Sequence, residues 1–341
     1  MPAVAPRRSL PIVGVPAPEA GSRIEPRTVR VSLTDRCDLA CVYCRPSRTD
    51  GYFESRLDDD AWKTMVRALV RAGVTRVRVT GGEPLLHPRV SELVAFIADL
   101  GVEDLALTTN ATRLEQLAGP LRRAGLRRLT VSLDSLSAER FWRITRGGRL
   151  ERVLAGVEAA RGEGFDELKT NTVVLRDEND DELESIVRWA WDRDIVPRFI
   201  EVMRVGEGAK LPADKLVGAR EMHARLGHLL DDERGTRDPD RGPARYVRAR
   251  HDPQRRVGFI TGTTDTYCDT CDRMRVASDG TLRPCLATND GVAARALAEA
   301  GDVDGVVQAI GEAWSLKPDG LTWKGCTEDS AADVSMRAIG G

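Results

Sequence analysis

The sequence predicts an α/β protein, an incomplete (β/α)6 barrel of the TIM type followed by a smaller C-terminal domain. Three observations predict it. Six short β-rich runs alternate with amphipathic stretches of helical length, the pattern of parallel strands joined by crossover helices. Polar or glycine-rich signatures follow those runs, at the strand ends where such a barrel carries its active site. Six of the seven cysteines fall into two close-spaced groups, one just behind the first run and one beyond the last.

Residues 1–26 break every apolar stretch with proline or glycine and are expected to form a disordered leader without an export function. TVRVSL (28–33) opens a barrel domain assigned to 27–240. Helix 58–72, RVRVT (76–80), helix 91–100, DLALTT (104–109), helix 114–124 and RLTVSL (128–133) follow. Helix 151–161, LKTNTVV (168–174), helix 181–193 and PRFIEV (197–202) complete the units. GEGAKLPADK (206–215) and the polar stretch 231–245 mark the exit. In the region 241–341, RYVRA, RVGFITG, MRVAS and TLRPCL read as short strands, and 291–299 and 302–315 as helices.

The chain has 341 residues, 41% apolar and 30% charged, with a net charge of −2, enough for one large domain and a smaller one. With no basic field and only 5% aromatics, a nucleic-acid partner is not expected. No run approaches the roughly 18 apolar residues of a membrane span. A cytoplasmic protein without a membrane partner is expected, and any anionic ligand has to be met by local cations.

A chain of this size needs no disulfide staples, so the cysteines point to metal or catalysis. CDLACVYC places Cys37, Cys41 and Cys44 in one loop, Cys268, Cys271 and Cys285 form the second group, and Cys326 stands alone. A four-iron cluster held by three thiolates keeps one iron open to a ligand. Zinc with three thiolates is also possible, and for the second group a zinc knuckle completed by Cys326 or His251 stays open. Gly81 and Gly82 suit a close backbone approach. In TVRVSL and RVRVT an arginine alternates with apolar residues and leaves their face of the strand. Arg273 and Arg275 share a face if RMRV is a strand, and Arg198 in RFIEV is a weaker candidate for the same ligand.

CDLACVYC followed by TGGEP resembles the radical S-adenosylmethionine (SAM) enzymes. With RVSLTDRC, LTTNAT, VSLDS, CDTCDRMRVASDGTLRPCL and a terminal Gly-Gly, residues 27–341 are similar to the GTP 3′,8-cyclase family of molybdenum cofactor biosynthesis. The resemblance implies a lyase with two [4Fe–4S] clusters and SAM, the second cluster being an auxiliary one in the C-terminal domain. It implies that Cys37, Cys41 and Cys44 hold the SAM-binding cluster, and Cys268, Cys271 and Cys285 the cluster that meets guanine. Tyr43, Gly82, Ser132 and Met203 fall at SAM-contact positions, and Arg30, Arg78, Thr108, Lys169, Arg273 and Arg275 at GTP-contact positions. A 5′-deoxyadenosyl radical would remove the C3′ hydrogen of GTP, and C3′ would join guanine C8 to give 3′,8-cyclo-7,8-dihydro-GTP. Gly340 and Gly341 are expected to enter the active site and help catalysis. An electron donor, a downstream pterin-forming enzyme and a possible homodimer are the further partners implied. Arg45, Ala111 and Ala338 depart from the family pattern and are expected to touch no ligand. Peptide modification by a related radical enzyme, and a zinc-binding nucleic-acid protein, are the alternative readings.

Overall fold

The computed structural model describes residues 26–49, 51–231, 235–237, 242–268, 271–318 and 336–339. The leader through residue 25, Cys326, Gly340 and Gly341 lie outside the described residues. Strands β1 (Thr28–Ser32), β2 (Arg76–Thr80), β3 (Asp104–Thr109), β4 (Arg128–Ser132), β5 (Glu167–Val173) and β6 (Val196–Ile200) lie side by side in chain order. All five pairings between them are parallel. Between them run helices α1 (Asp59–Arg71), α2 (Val90–Asp99), α3 (Leu114–Arg123), α4 (Ala138–Thr145), α5 (Leu150–Gly162) and α6 (Leu183–Trp191).

The alternation of side chains decides which face meets the helices. Val29, Val31, Val77, Val79, Leu105, Leu107, Leu129 and Val131 are all buried in one core with Trp62, Met65, Leu69, Val94, Leu121 and Val157 from the helices. Each such side chain is worth about 1.5–3 kcal/mol on burial. The residues between them, Thr28, Arg30, Ser32, Arg76, Arg78 and Thr80 on the first two strands, therefore face the other, concave side. On β3 to β6 this face carries Asp104, Thr108, Arg128, Thr130, Ser132, Glu167, Lys169, Asn171 and Arg198, with Ala106, Val173, Val196 and Ile200 among them. A core that excluded helices from this face left it to ligands.

Three helices among the described residues escaped the sequence reading, one of them the four-residue Met336–Ile339. Helix α4 has only eight residues, a stretch short enough to pass for part of the loop after β4. Helix α7 (Ala219–Leu226) follows the exit loop, with only Met222 and Leu226 buried.

The C-terminal region continues the same sheet on both of its edges. β10 (Arg273–Val276) pairs parallel with β1, Thr28 opposite Arg273, and β9 (Asp252–Ile260) pairs parallel with β6, Arg198 opposite Gly258. Beyond them β11 (Thr281–Arg283) and β12 (Val292–Ala293) extend one edge, and β8 (Arg245–Ala249) and β7 (Thr236–Arg237) the other. The result among the described residues is a twelve-stranded open sheet, an incomplete barrel with its concave face lined from both ends of the chain. Helices α8 (Arg295–Glu299) and α9 (Val303–Ser315) pack on the outside, α9 burying Val306 and Ile310 in the main core. No helix among the described residues is long and apolar enough to cross a membrane.

Candidate active site

The loop that follows β1 carries the first three thiols, and its backbone is tied on two sides. Ala40 and Val42 donate their N–H groups to the carbonyls of Thr145 and Ile144 at the end of α4, at 3.2 and 3.0 Å. On the other side Gly82 donates to Thr34 at 2.6 Å and Glu83 to Arg36 at 2.7 Å. That contact explains the glycines: a Cβ on Gly82 would sit 2.3 Å from the Arg36 carbonyl, and one on Gly81, whose φ is +146°, 2.3 Å from that of Thr34. The Gly-Gly pair thus admits the cysteine loop itself.

Cys37, Cys41 and Cys44 line a cavity of about 120 Å³ with Tyr43, Gly82 and Ser132. Thr108 at the end of β3 also faces it, as does Arg45. Glu83 is buried and accepts hydrogen bonds from Thr109 Oγ1 at 2.6 Å, the Asn110 N–H at 2.6 Å and the Leu85 N–H at 3.0 Å. Burial outweighs those bonds and pushes its carboxyl up to about 7. Tyr43 donates to Asp134 Oδ2 at 2.6 Å, and burial lifts Asp134 to about 6. Arg45, an expected non-contact, lines this cavity; its guanidinium donates to the Tyr52 hydroxyl and the Arg48 carbonyl and so secures the loop.

The thiols fit a cationic inorganic group. Burial, then Glu83, raise the Cys37 thiol, and burial with Asp134 raises Cys41. A centre of high positive charge is what would draw off these protons. Three thiolates around one zinc need a fourth ligand, and Cys326, one candidate for it, lies outside the described residues. A cubane instead takes each thiolate at a separate iron.

The middle of the concave face forms a second cavity of about 320 Å³. Arg30, Arg78, Thr108, Lys169, Arg198 and Arg273 all line it, so five of the six expected GTP contacts and the weaker candidate Arg198 meet here. Burial, then Arg275 and Arg273, press Arg30 below its ordinary value, and burial brings Arg78 down to about 10. Arg198 donates to Thr130 Oγ1 at 3.0 Å, and its Nε has no protein partner. Gly258 makes room for it, since a Cβ there would meet the Arg198 side chain at 2.7 Å. Cations so crowded in a site with little solvent call for an anionic ligand.

Arg30, Asn171, Tyr267 and Arg273 also line a third cavity, so the two adjoin. Around it stand Cys268, Cys271 and Cys285 with Arg275 and Lys317. Burial pushes the Cys271 thiol up, but Arg273 and Lys317 outweigh it and leave it below its usual range. Met203 faces this third cavity, where the Tyr267 hydroxyl meets its sulfur at 3.7 Å, and does not line the first. Arg275 donates to the Ile339 carbonyl at 3.1 Å, and Ile339 is buried beside Val205 and Ala277. The chain is thus at the cavity wall one residue before the Gly-Gly end.

A family model described as the radical SAM superfamily matches residues 31–190, and one described as Molybdenum Cofactor Synthesis C matches residues 195–323. A GTP 3′,8-cyclase of Pseudomonas putida (strain W619) is 39% identical over 297 residues, covering 85% of this chain and 88% of its own length. The chain belongs to the GTP 3′,8-cyclase family. Another member, from Pelotomaculum thermopropionicum, is 39% identical over 302 residues, 85% of this chain and 91% of its own. The fold is shared with Streptococcus suis SuiB bound to S-adenosylmethionine, at a TM-score of 0.63 and 16% identity over 91% of this chain and 72% of that one.

For a cyclase of this family the site gains residues that the sequence reading passed over or ranked low. Asn171, Tyr267, Asp134 and Arg198 all line the cavities. Strand parity could have found Asn171, two residues beyond Lys169; Asp134 and Tyr267 sit in loops and carry no periodic signal.

Proposed function

We propose that this chain is a radical SAM GTP 3′,8-cyclase, a lyase that converts GTP to 3′,8-cyclo-7,8-dihydro-GTP in the first step of molybdenum cofactor biosynthesis. One observation carries the reading: a cavity ringed by Arg30, Arg78, Lys169, Arg198 and Arg273 shares lining residues with the cavities of two separate groups of three cysteines. Cys37, Cys41 and Cys44 would hold one [4Fe–4S] cluster with SAM, and Cys268, Cys271 and Cys285 the other. SAM at the first cluster supplies, on one-electron reduction, the radical that takes the ribose C3′ hydrogen.

The chain's residues orient and shield. Tyr43, Gly82 and Ser132 border SAM on the first cavity, and Met203 reaches the bound pair from the third. Arg30, Arg78, Thr108, Lys169, Arg273 and Arg275 hold the nucleotide, each charge-assisted bond contributing roughly 1.5–3 kcal/mol. The hydrogen bond from Arg275 to the Ile339 carbonyl supports a role for Gly340 and Gly341 in arranging the arginines of the active site. An electron donor, a pterin-forming enzyme that takes the product, a cytoplasmic setting and a homodimer complete the proposal. Residues 27–240 serve as the partial barrel and 241–341 as the auxiliary-cluster region.

The test is anaerobic incubation of reconstituted protein, carrying about eight irons, with GTP, SAM and a reductant. The reading requires 5′-deoxyadenosine and a cyclised nucleotide in equal amounts. SAM cleavage without any nucleotide product, or a colourless protein with stoichiometric zinc, refutes it.

A further inference from the structure

The concave face begins with charge. Thr28, Arg76, Asp104, Arg128 and Glu167 are the first residues of β1 to β5, at the end of the sheet away from the cysteine loop. Here three carboxylates meet arginines. Asp272 accepts from Arg76 at 2.6 Å and from Thr28 at 3.0 Å. Asp104 is shared between Arg78 and Arg128. Glu167 lies 2.8 Å from Lys169, 2.9 Å from Arg256 and 3.7 Å from Arg128.

Asp104 therefore holds Arg78 and Arg128, and Glu167 holds Lys169, Arg256 and, at longer range, Arg128, which lines both the middle cavity and the floor below it. Arg256 lines only an open polar hollow beneath, together with Asp104 and Glu167. Stripping a buried carboxylate of its only partner is costly, several kcal/mol in a low-dielectric site. Here it is avoided. If Arg78 and Lys169 turn to a ligand, Asp104 keeps Arg128, and Glu167 keeps Arg256.

We propose that Asp104 and Glu167 are resident counter-ions that compete with the substrate's phosphates for Arg78 and Lys169, and so set how much negative charge a ligand needs to bind. The inference rests on the proposed function and adds to it a device for selecting triphosphates. A ligand with enough charge takes both cations. A shorter phosphate chain leaves one or both with its carboxylate. Burial pushes the Glu167 carboxyl up, but Lys169, Arg128 and Arg256 hold it below its usual range, so it is ionised when the competition takes place.

The experiment measures dissociation constants of anaerobic holoenzyme for GTP, GDP and inorganic tripolyphosphate by calorimetry. Glu167→Gln and Asp104→Asn each bind tripolyphosphate three- to tenfold more tightly than the parent, and the ratio of GTP to GDP affinity narrows. Arg256→Gln, which removes a floor cation and leaves Glu167 to Lys169, binds severalfold more weakly. Asp166 lies in the same hollow but among the described residues pairs with Arg122 and Arg127, and Asp166→Asn stays within twofold of the parent. A merely structural role for the carboxylates moves melting temperature and cannot tighten binding. Parental or weaker affinity in Glu167→Gln and Asp104→Asn overturns the inference, and if neither folds, parental affinity in Arg256→Gln does so alone. A parent that fails to bind GTP at all refutes the proposed function instead.

Discussion

Replacing Gly82 by alanine tests how the first cysteine loop is held. The new Cβ would lie 2.3 Å from the Arg36 carbonyl oxygen, 2.7 Å from its carbon and 2.8 Å from the Asp35 oxygen. All three are backbone atoms, so no side chain can swing aside; the loop after β1 has to separate from the turn after β2. Separation strains the Gly82 to Thr34 and Glu83 to Arg36 hydrogen bonds, now 2.6 and 2.7 Å. Two such bonds are worth about 1 kcal/mol each, and overpacking adds about 1–3 kcal/mol, giving a loss of about 3–5 kcal/mol. In a domain this large about 2 °C of melting temperature accompanies each kcal/mol, so a fall of about 6–10 °C is expected. Thermal unfolding under argon, with iron analysis and SAM binding, gives the readout. Iron at the first site falls because Cys37 rides on the displaced loop. Gly162→Ala in the last turn of α5, where an added Cβ meets nothing, is the control and is neutral or stabilising. A Gly82→Ala protein with parental melting temperature and full iron would refute the reasoning.

Ala111 has φ +63°, a left-handed conformation that costs alanine about 1–2 kcal/mol relative to glycine, but its methyl is fully buried and worth about 0.8 kcal/mol. Ala111→Gly should therefore shift unfolding free energy by less than about 1 kcal/mol, measured by urea titration, despite the departure from the family pattern. Hydrogen bonds from Arg176 and Arg225 bring the Glu221 carboxyl down to about 2, so its contribution is present above pH 4.5 and is lost as pH falls towards 2. The group is 35% exposed, so solvent screening reduces its worth to about 1 kcal/mol; Glu221→Gln should show that deficit at pH 7 and less of it at pH 3 or in high salt. Cys271→Ala should lose GTP turnover while reductive cleavage of SAM at the first site remains detectable by chromatography. Appending one bulky residue after Gly341 should lower GTP conversion at least tenfold, about 1.4 kcal/mol, at unchanged iron content.

Much of this architecture was legible because both periodicities are clean. The alternation in TVRVS and RVRVT announced strands, and also announced that Arg30 and Arg78 leave the helix-covered face; the structure seats both in the middle cavity. Arg198 ranked low because PRFI gives a weaker alternation, and only its pairing with Gly258 reveals the space prepared for it. The counter-ions of Arg78 and Lys169 were not legible at all. Asp104 and Glu167 open their strands, where an acid reads as an ordinary solvated end, and only the pairing of β2 to β5 brings them beside Arg78, Arg128 and Lys169. Gly82 was noticed for its flexibility, but its close packing on the Arg36 carbonyl was not legible, because a sequence does not say which backbone a glycine admits. The joining of the C-terminal strands to both sheet edges was likewise invisible, since pairing partners so distant leave no local mark.

That last feature has a consequence for how the molecule is made. The hydrogen bonds of β1 towards β10 join Thr28 to Arg273, so one flank of the first strand synthesised waits for a partner some 245 residues downstream. While the ribosome completes the intervening helices, an apolar, unpartnered strand edge is available to any neighbour, the situation in which chains associate wrongly. Arg30 in its centre supplies a charge that discourages such pairing, so a residue set aside for the substrate also guards the nascent chain. A polypeptide ending before residue 268 would lack both the second cysteine group and the strand that seals this flank, and would be recovered as aggregate sooner than as a half-active enzyme.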